Sequence, residues 1–318
     1  MPVPAISILL ANYNGATYLR ECLDSIIRHT TDISYEIILV DDCSTDTSID
    51  LVRREYPDVR IIENATNVGF ARSNNVGVTH AQGSFICLFN TDIILLNNAV
   101  LIMHDYLTNH SDVGVVGTWL KNRDGTSQVS YGSSPSITQA IIDALFLNDL
   151  FPSAQFPNKG VKPPRESREP RTVDYVTGAA LMTRRELVDE IGLFDERFYM
   201  YCEEADFCYR VRHQKKLNVC FLPDVQIIHY GGVSFQDHRE YQIRLQYASY
   251  DHFLKKHHGL LYAVITRWLY AWHYAVKMVY RGIRFLVAPG DSRPRWQSEL
   301  KSAWYAVRYS IRPTRKTE

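Results

Sequence analysis

The sequence predicts an α/β fold: a doubly wound sheet with helices on both faces, followed by a helical C-terminal appendage. Three observations carry that reading. Apolar runs of strand length alternate with segments of helical periodicity as far as residue 90. The turns that follow those runs are polar and rich in Asn and Asp. Beyond residue 260 the chain is apolar and aromatic, broken by cations at helical spacing.

The first strand is expected at residues 6–10, a short buried run. Residues 17–28 repeat Leu19, Leu23, Ile26 and Ile27 at helical spacing. A strand at 36–40 precedes a helix at 45–55, opened by Ser44 or Thr45 as its cap. A strand at 60–62, a helix at 70–80 and a strand at 85–89 complete the alternation. Sheets wound this way bind ligands beyond the carboxyl ends of their strands, where the strand order reverses.

Three polar turns fall on that edge. They are Ala11-Asn12-Tyr13-Asn14-Gly15, Asp41-Asp42-Cys43-Ser44 and Asn90-Thr91-Asp92. None contains the GxGxxG that holds a dinucleotide. Asp41, at a strand end, suits a nucleobase or ribose. Asp92 suits a divalent metal, magnesium or manganese, because these ions prefer carboxylate oxygen and bridge protein to substrate phosphate. Asp42 and Asp46 read as turn or cap residues.

A second acidic site lies far downstream. Glu203, Glu204 and Asp206 place three carboxylates within four residues, just after an apolar and aromatic run. Crowded acids beside an apolar wall hold a proton tightly, which a general base working near neutral pH requires. An ordinary acidic first turn of a helix has the same appearance.

With 318 residues, 46% hydrophobic and 22% charged, the chain can bury a full core. Its net charge of zero hides an asymmetry: residues 251–318 hold 13 Lys/Arg against 4 Asp/Glu, a balance of +9 that leaves −9 on residues 1–250. The six cysteines (22, 43, 87, 202, 208 and 220) show no metal-binding spacing and read as free thiols in a reducing compartment. The first apolar run is too short for a secretory leader, so a cytoplasmic location is expected.

Residues 151–171 carry five prolines and read as a long loop, either a lid over an acceptor cleft or a solvated insertion. In residues 260–287, Arg267, His273, Lys277, Arg281 and Arg284 fall within an arc of about 120° on a helix. That segment has too many charges to span a bilayer. A basic stripe with aromatic shoulders suits a helix lying on an anionic membrane, with residues 296–311 adding to it. A helical pair packed on the catalytic domain or on a dimer partner is the alternative. No nucleic-acid reading motif accompanies the charge, so nucleic acid is not an expected partner.

Eight segments occur here in one order: Ser7-Ile8-Leu9-Leu10-Ala11-Asn12-Tyr13-Asn14-Gly15, Val40-Asp41-Asp42-Cys43-Ser44-Thr45-Asp46, Asn67-Val68-Gly69-Phe70-Ala71-Arg72-Ser73-Asn74-Asn75-Val76-Gly77, Phe89-Asn90-Thr91-Asp92, Thr177-Gly178-Ala179-Ala180, Gly192-Leu193-Phe194-Asp195-Glu196, the acidic cluster at 203–206, and His229-Tyr230-Gly231-Gly232-Val233-Ser234. With them the chain resembles the inverting nucleotide-sugar glycosyltransferases of family 2 over roughly residues 5–235. The resemblance implies the A-type glycosyltransferase fold, a single Rossmann-like doubly wound mixed sheet. A donor-binding half at 1–118 and an acceptor and catalytic half at 119–240 are then expected, followed by the basic amphipathic helical tail at 241–318.

The resemblance also implies roles. Asp41 accepts from the base or ribose, with Ala11 and Tyr13 lining the base and Asn74 in the donor site. Asn90-Thr91-Asp92 stands where the family has its DxD signature, with Asn90 in place of the first Asp and Asp92 left as the metal ligand. His229 matches a family histidine near the metal and diphosphate. Glu204 matches the catalytic base of the E-D-x-D pattern, although Glu stands there in place of the usual Asp. Glu203, Asp206, Gly178 and Ala179 are then acceptor-binding or orienting residues.

The segments at 67–77 and 178–180 look most like rhamnosyltransferase-type bacterial members, which makes dTDP-rhamnose the first donor expected. The acceptor would be a glycan or a lipid-linked oligosaccharide, reached from the inner face of the cell membrane. The QxxRW motif of processive relatives is absent, so one sugar per encounter is expected. A non-catalytic sugar-nucleotide scaffold and a nucleotidyltransferase are the competing readings. The first is disfavoured by intact Asp41, Asp92 and Glu204, the second by the lack of a cation in residues 11–15.

Overall fold

Leucine- and isoleucine-rich runs become strands, and the helices between them bury their apolar faces on the sheet those strands build. The computed structural model describes residues 3–151, 160–164, 166–231 and 239–312. In chain order the elements are β1 (Ile6–Asn12), α1 (Ala16–His29), β2 (Tyr35–Asp41), α2 (Ser48–Glu55), β3 (Arg60–Glu63), α3 (Phe70–His80), β4 (Phe85–Asn90), β5 (Ile93–Leu95), α4 (Ala99–Asn109) and β6 (Val113–Lys121). Next come β7 (Tyr131–Gly132), α5 (Ile137–Ala144), α6 (Leu147–Leu150), β8 (Arg171–Thr172), β9 (Tyr175–Val176), β10 (Ala180–Arg184), α7 (Arg185–Ile191), α8 (Glu203–Gln214) and β11 (Asn218–His229). The chain closes with α9 (Arg239–His258), α10 (Leu260–Val287) and α11 (Arg293–Ile311).

Two compact units result. The first holds the sheet, whose order among the described residues is β3-β2-β1-β4-β10-β6-β11-β5, with β8 also paired on β11. Strands β1 to β4 are parallel, whereas β10 runs antiparallel to β4 and β6. The sheet is therefore mixed. Strand β1 lies between β2 and β4, the point where the winding reverses. The register sets Asn12 opposite Asp41 and Ala11 opposite Asn90, so the polar turns share one edge.

Side chains alternate across the sheet with period two. Ile6, Ile8 and Leu10 join Leu19, Leu23, Val52 and Met103 in one core, while Leu9, Ile38 and Val40 join Ala71, Phe207 and Val211 in the other. Both faces are covered, which is why these strands read as continuous apolar runs.

Helix α2 starts at Ser48, later than the expected residue 45. The expected caps are engaged elsewhere: Ser44 donates to Asp41, and the Thr45 N–H donates to Asn14. Asp46 instead accepts from the N–H and hydroxyl of Ser48.

The second unit comprises the described residues within 135–158, 200–202 and 235–318. It contains α5, α6 and α9 to α11, so residues 135–158, expected in the acceptor half, join the helices. Its longest helix corrects the sequence reading of the basic stripe. Arg267 pairs with Asp251 of α9 (Nε–Oδ1 2.7 Å) and Arg281 with Glu299 of α11 (3.5 Å). His273 is buried against the Asp143 carbonyl and stacks on Phe146. Arg284 lies over the Trp296 ring. Carboxylates and a carbonyl on neighbouring helices draw Arg267, His273 and Arg281 inward while Arg284 stays exposed, so the stripe does not face outward as a whole. Among the described residues no helix is long and apolar enough to cross a membrane.

Candidate active site

The turn after β1 is built around Asn12. Its buried amide donates to Asp41 Oδ1 (2.8 Å), Ser44 Oγ (3.1 Å) and Ser48 Oγ (2.9 Å). Asp41 also accepts from the Ser44 hydroxyl and N–H. Asn12 thus locks the ends of β1 and β2 together. Gly15 makes room for it, since a Cβ at Gly15 would lie 2.3 Å from Asn12 Oδ1. Ala11 is half-buried at this edge and Tyr13 is exposed.

Asp42 serves the turn. It accepts from the N–H groups of Val68 and Gly69 and from the Asn64 amide. Gly69 has φ +87°, and a Cβ there would meet the Tyr199 ring at 2.5 Å, so only glycine fits. Asn74 is buried inside α3 with its amide on the Phe70 carbonyl, turned into the protein and away from the edge.

At the end of β4, Asn90, Asp92 and His229 converge. His229 Nε2 lies 3.4 Å from both Asp92 Oδ1 and Asn90 Nδ2. Gln128, which sequence reasoning missed, holds the ring from behind. Its Nε2 donates to the carbonyl of His229 (2.5 Å) and to Asn122 Oδ1 (2.7 Å), which fixes its Oε1 toward His229 Nδ1 at 2.9 Å. Nδ1 then carries a proton that it donates to Gln128, and Nε2 faces Asp92 and Asn90. Burial pushes the Asp92 carboxyl up, but His229 and the Gly231 N–H (3.0 Å) outweigh it and hold it below its ordinary value. Thr91 lies beside Gly15 on the same edge.

Asp92 Oδ1 and His229 Nε2 converge on one point of this edge. Among the described residues no cluster of three His, Cys, Asp or Glu side chains could hold a metal alone. One carboxylate and one imidazole nevertheless fit magnesium or manganese completed by diphosphate oxygens and water.

The carboxyl pair sits close by along the chain of contacts. The Ala179 carbonyl accepts the Asn90 N–H (2.9 Å), and the adjoining Gly178 packs against Glu204. Two successive non-glycine residues with positive φ, Tyr201 (69°) and Cys202 (65°), precede α8 and set Glu203 and Glu204 in its first turn. Such conformations cost on the order of 1–3 kcal/mol each and gather at functional sites.

Glu203 is buried and Glu204 half-buried, and in each Oε2 is sealed from solvent with no hydrogen-bond partner among the described residues. Burial pushes Glu204 up to about 7, against the pull of its own N–H and that of Ala205. Burial, and then the neighbouring Glu204, hold Glu203 well above the ordinary range. Asp206 is fully buried and bound to Arg210 (Oδ2–Nε 2.8 Å), whose guanidinium also donates to the carbonyls of residues 191–193. That network anchors α8, so Asp206 supports the site from behind. Part of the 151–171 loop and residues 232–234 of the last motif lie outside the described residues.

The profile described as Glycosyl transferase family 2 matches residues 7–192, more than half of the chain. The matched stretch ends before Glu204 and His229. The chain is 21% identical over 274 residues to N-acetylglucosaminyl-diphospho-decaprenol L-rhamnosyltransferase of Mycobacterium tuberculosis, covering 83% of this chain and 88% of that one. It is 22% identical to the low-salt glycan biosynthesis hexosyltransferase Agl10 of Haloferax volcanii, covering 89% and 88%. Among solved structures it resembles the mannosyltransferase PcManGT of Pyrobaculum calidifontis in complex with GDP-Man and Mn2+ (TM-score 0.58, 15% identity, 98% of this chain and 87% of that one). It also resembles GalNAc-T7 with UDP, GalNAc and Mn2+ (TM-score 0.60, 14% identity, 98% and 57%). With its mixed sheet and polar carboxyl edge, the chain has the A-type glycosyltransferase fold and belongs to glycosyltransferase family 2, an enzyme that transfers a sugar.

Proposed function

We propose that this enzyme moves one sugar per encounter, with inversion, from a nucleoside diphosphate donor to a hydroxyl of a glycan or lipid-linked oligosaccharide. The observation that carries the reading is Glu204, a carboxyl raised by burial and packed one residue from the Ala179–Asn90 contact. A base with its pKa near neutrality takes up a proton efficiently at working pH. Glu204 takes the acceptor hydroxyl proton as that oxygen attacks the anomeric carbon. The bond to the diphosphate breaks on the opposite face, and its electron pair leaves with the diphosphate. Glu203 holds its proton and keeps a second charge out of the pocket.

Asp41, positioned by Asn12, accepts from the base or ribose, with Ala11 and Tyr13 beside it. Asp92 and His229 would hold magnesium or manganese, which when bound neutralises charge on the leaving diphosphate. Asn90 and Thr91 border the diphosphate, Gly178 and Ala179 the acceptor. Asn74 and Asp206 act as scaffold. The rhamnosyltransferase relative supports dTDP-rhamnose as the first donor and a lipid-linked acceptor, and such an acceptor supports peripheral placement on the inner face of the cell membrane.

Thermal melting against a panel of nucleotide sugars, with and without manganese, tests the donor site. The expected result is stabilisation by a deoxythymidine or uridine diphosphate sugar that needs manganese and is lost in Asp92→Ala. Product formation followed by mass spectrometry completes the test. Donor binding with no transfer to any acceptor would favour the scaffold, and no binding at all would overturn the assignment.

A further inference from the structure

Helix α10 is turned inside out. Arg267, His273 and Arg281 face the neighbouring helices, and much of its apolar face is exposed. Leu261, Ile265, Trp268, Trp272, Val279 and Ile283 are all exposed, the two tryptophans at 61% each. At 100° per residue these six lie within an arc of about 60°, and Tyr280 widens the exposed apolar arc to about 120°, with Ala271 buried beyond its other edge. No charged residue falls inside that arc, and α10 contains no Asp or Glu. At about 1.5 Å per residue the stripe runs for roughly 40 Å. A soluble surface rarely leaves so long an apolar face in water.

We propose that this face docks on an anionic phospholipid bilayer, with α10 lying in the interface plane and its tryptophans among the headgroups. The inference rests on the peripheral placement proposed above and not on the sugar chemistry. Two features select a bilayer over a second copy of this chain. The arc is wider than the narrow seam that one partner helix covers. The charge is also wrong for self-association: residues 251–318 carry +9, so two copies would repel. Anionic headgroups instead complement Arg284, Arg293, Arg295 and Lys301, all exposed on the helices of this unit. Apolar insertion provides the hold and the cations provide the preference for anionic lipid.

The full chain is mixed with vesicles of phosphatidylcholine, with or without phosphatidylglycerol, and sedimented. Co-sedimentation with the anionic vesicles is expected, and so is quenching of tryptophan fluorescence by lipids brominated near the headgroup. Binding should largely persist in about 0.5 M salt, where purely electrostatic attachment is screened. Trp268→Glu/Trp272→Glu should weaken it at least about tenfold, since each buried aromatic contributes well over one factor of ten. The variant should keep the melting temperature and the donor-induced shift of the parent, which separates loss of docking from loss of fold. Binding to neither vesicle by the folded chain would overturn the proposal. So would a stable dimer in solution that the double substitution dissociates. Loss of sugar transfer with docking intact would count against the catalytic reading alone.

Discussion

Two pairs of adjacent acids in the same unit, Asp41-Asp42 and Glu203-Glu204, look alike in sequence and differ in surroundings. The first pair is surrounded by donors: Asp41 accepts from Asn12 and Ser44, and Asp42 from Val68, Gly69 and Asn64. The second pair is less fully buried, Glu204 being half-buried, yet each Glu keeps a sealed Oε2 with no partner among the described residues. The first pair therefore ties strand ends together, and the second stores affinity for a proton. Donors, and not the density of acids along the chain, decide which acidic pair is structural and which is reactive.

The sharpest way to break that contrast is Glu204→Gln. Transfer should fall by about 10²–10⁴, the range a general base contributes, while donor-induced stabilisation survives. Initial rates beside melting curves would check it, and a variant as active as the parent would remove Glu204 from the base role.

Asp42→Ala should cost stability instead, by about 2–4 kcal/mol, because it orphans the N–H groups of Val68 and Gly69 and leaves the Asn64 amide only Ser73 as acceptor. Urea unfolding would measure this, and a change within experimental scatter would mean that water satisfies the turn.

Proton affinity sets a third expectation. Folding raises the pKa of Glu204 from 4.5 to about 7, so between those values the folded chain binds more protons than the unfolded one. The stability that Glu204 contributes is complete at low pH and is lost as pH rises through that window, by about 3 kcal/mol at most. In Glu204→Gln the decline should flatten. An unchanged slope would show that the pair is hydrated in solution.

The smallest effect concerns Gln128→Leu, which removes the amide that orients His229. Manganese affinity, read by calorimetry in the presence of a nucleoside diphosphate, should weaken about 10–100-fold. Equal affinity would show that the ring needs no such guide.

Much of the fold was legible because its signals are local. Helix α3 spans the expected residues 70–80, and the first strands fall within two residues of their expected bounds. The late start of α2 was hidden because Ser44 and Thr45, good caps by type, are claimed by residues across the turn. In the site, Asp92 and His229 stood out by position at strand ends. Gln128 gave no signal, since its role comes from a loop that folds back onto β11. Asn74 looked available until α3 turned its amide onto Phe70.

The sequence by itself determined the alternation of strands and helices, the polar edge that follows from it, and the acids that lie there. These depend on periodicity and turn chemistry, which neighbours along the chain supply. Tertiary structure alone decided which carboxyls go unpartnered, which nitrogen of His229 carries the proton, and which side of α10 faces outward. Each of these depends on donors, acceptors and charges brought from distant residues. Asp251 and Glu299 turn Arg267 and Arg281 inward, and no property of α10 taken alone contains that outcome.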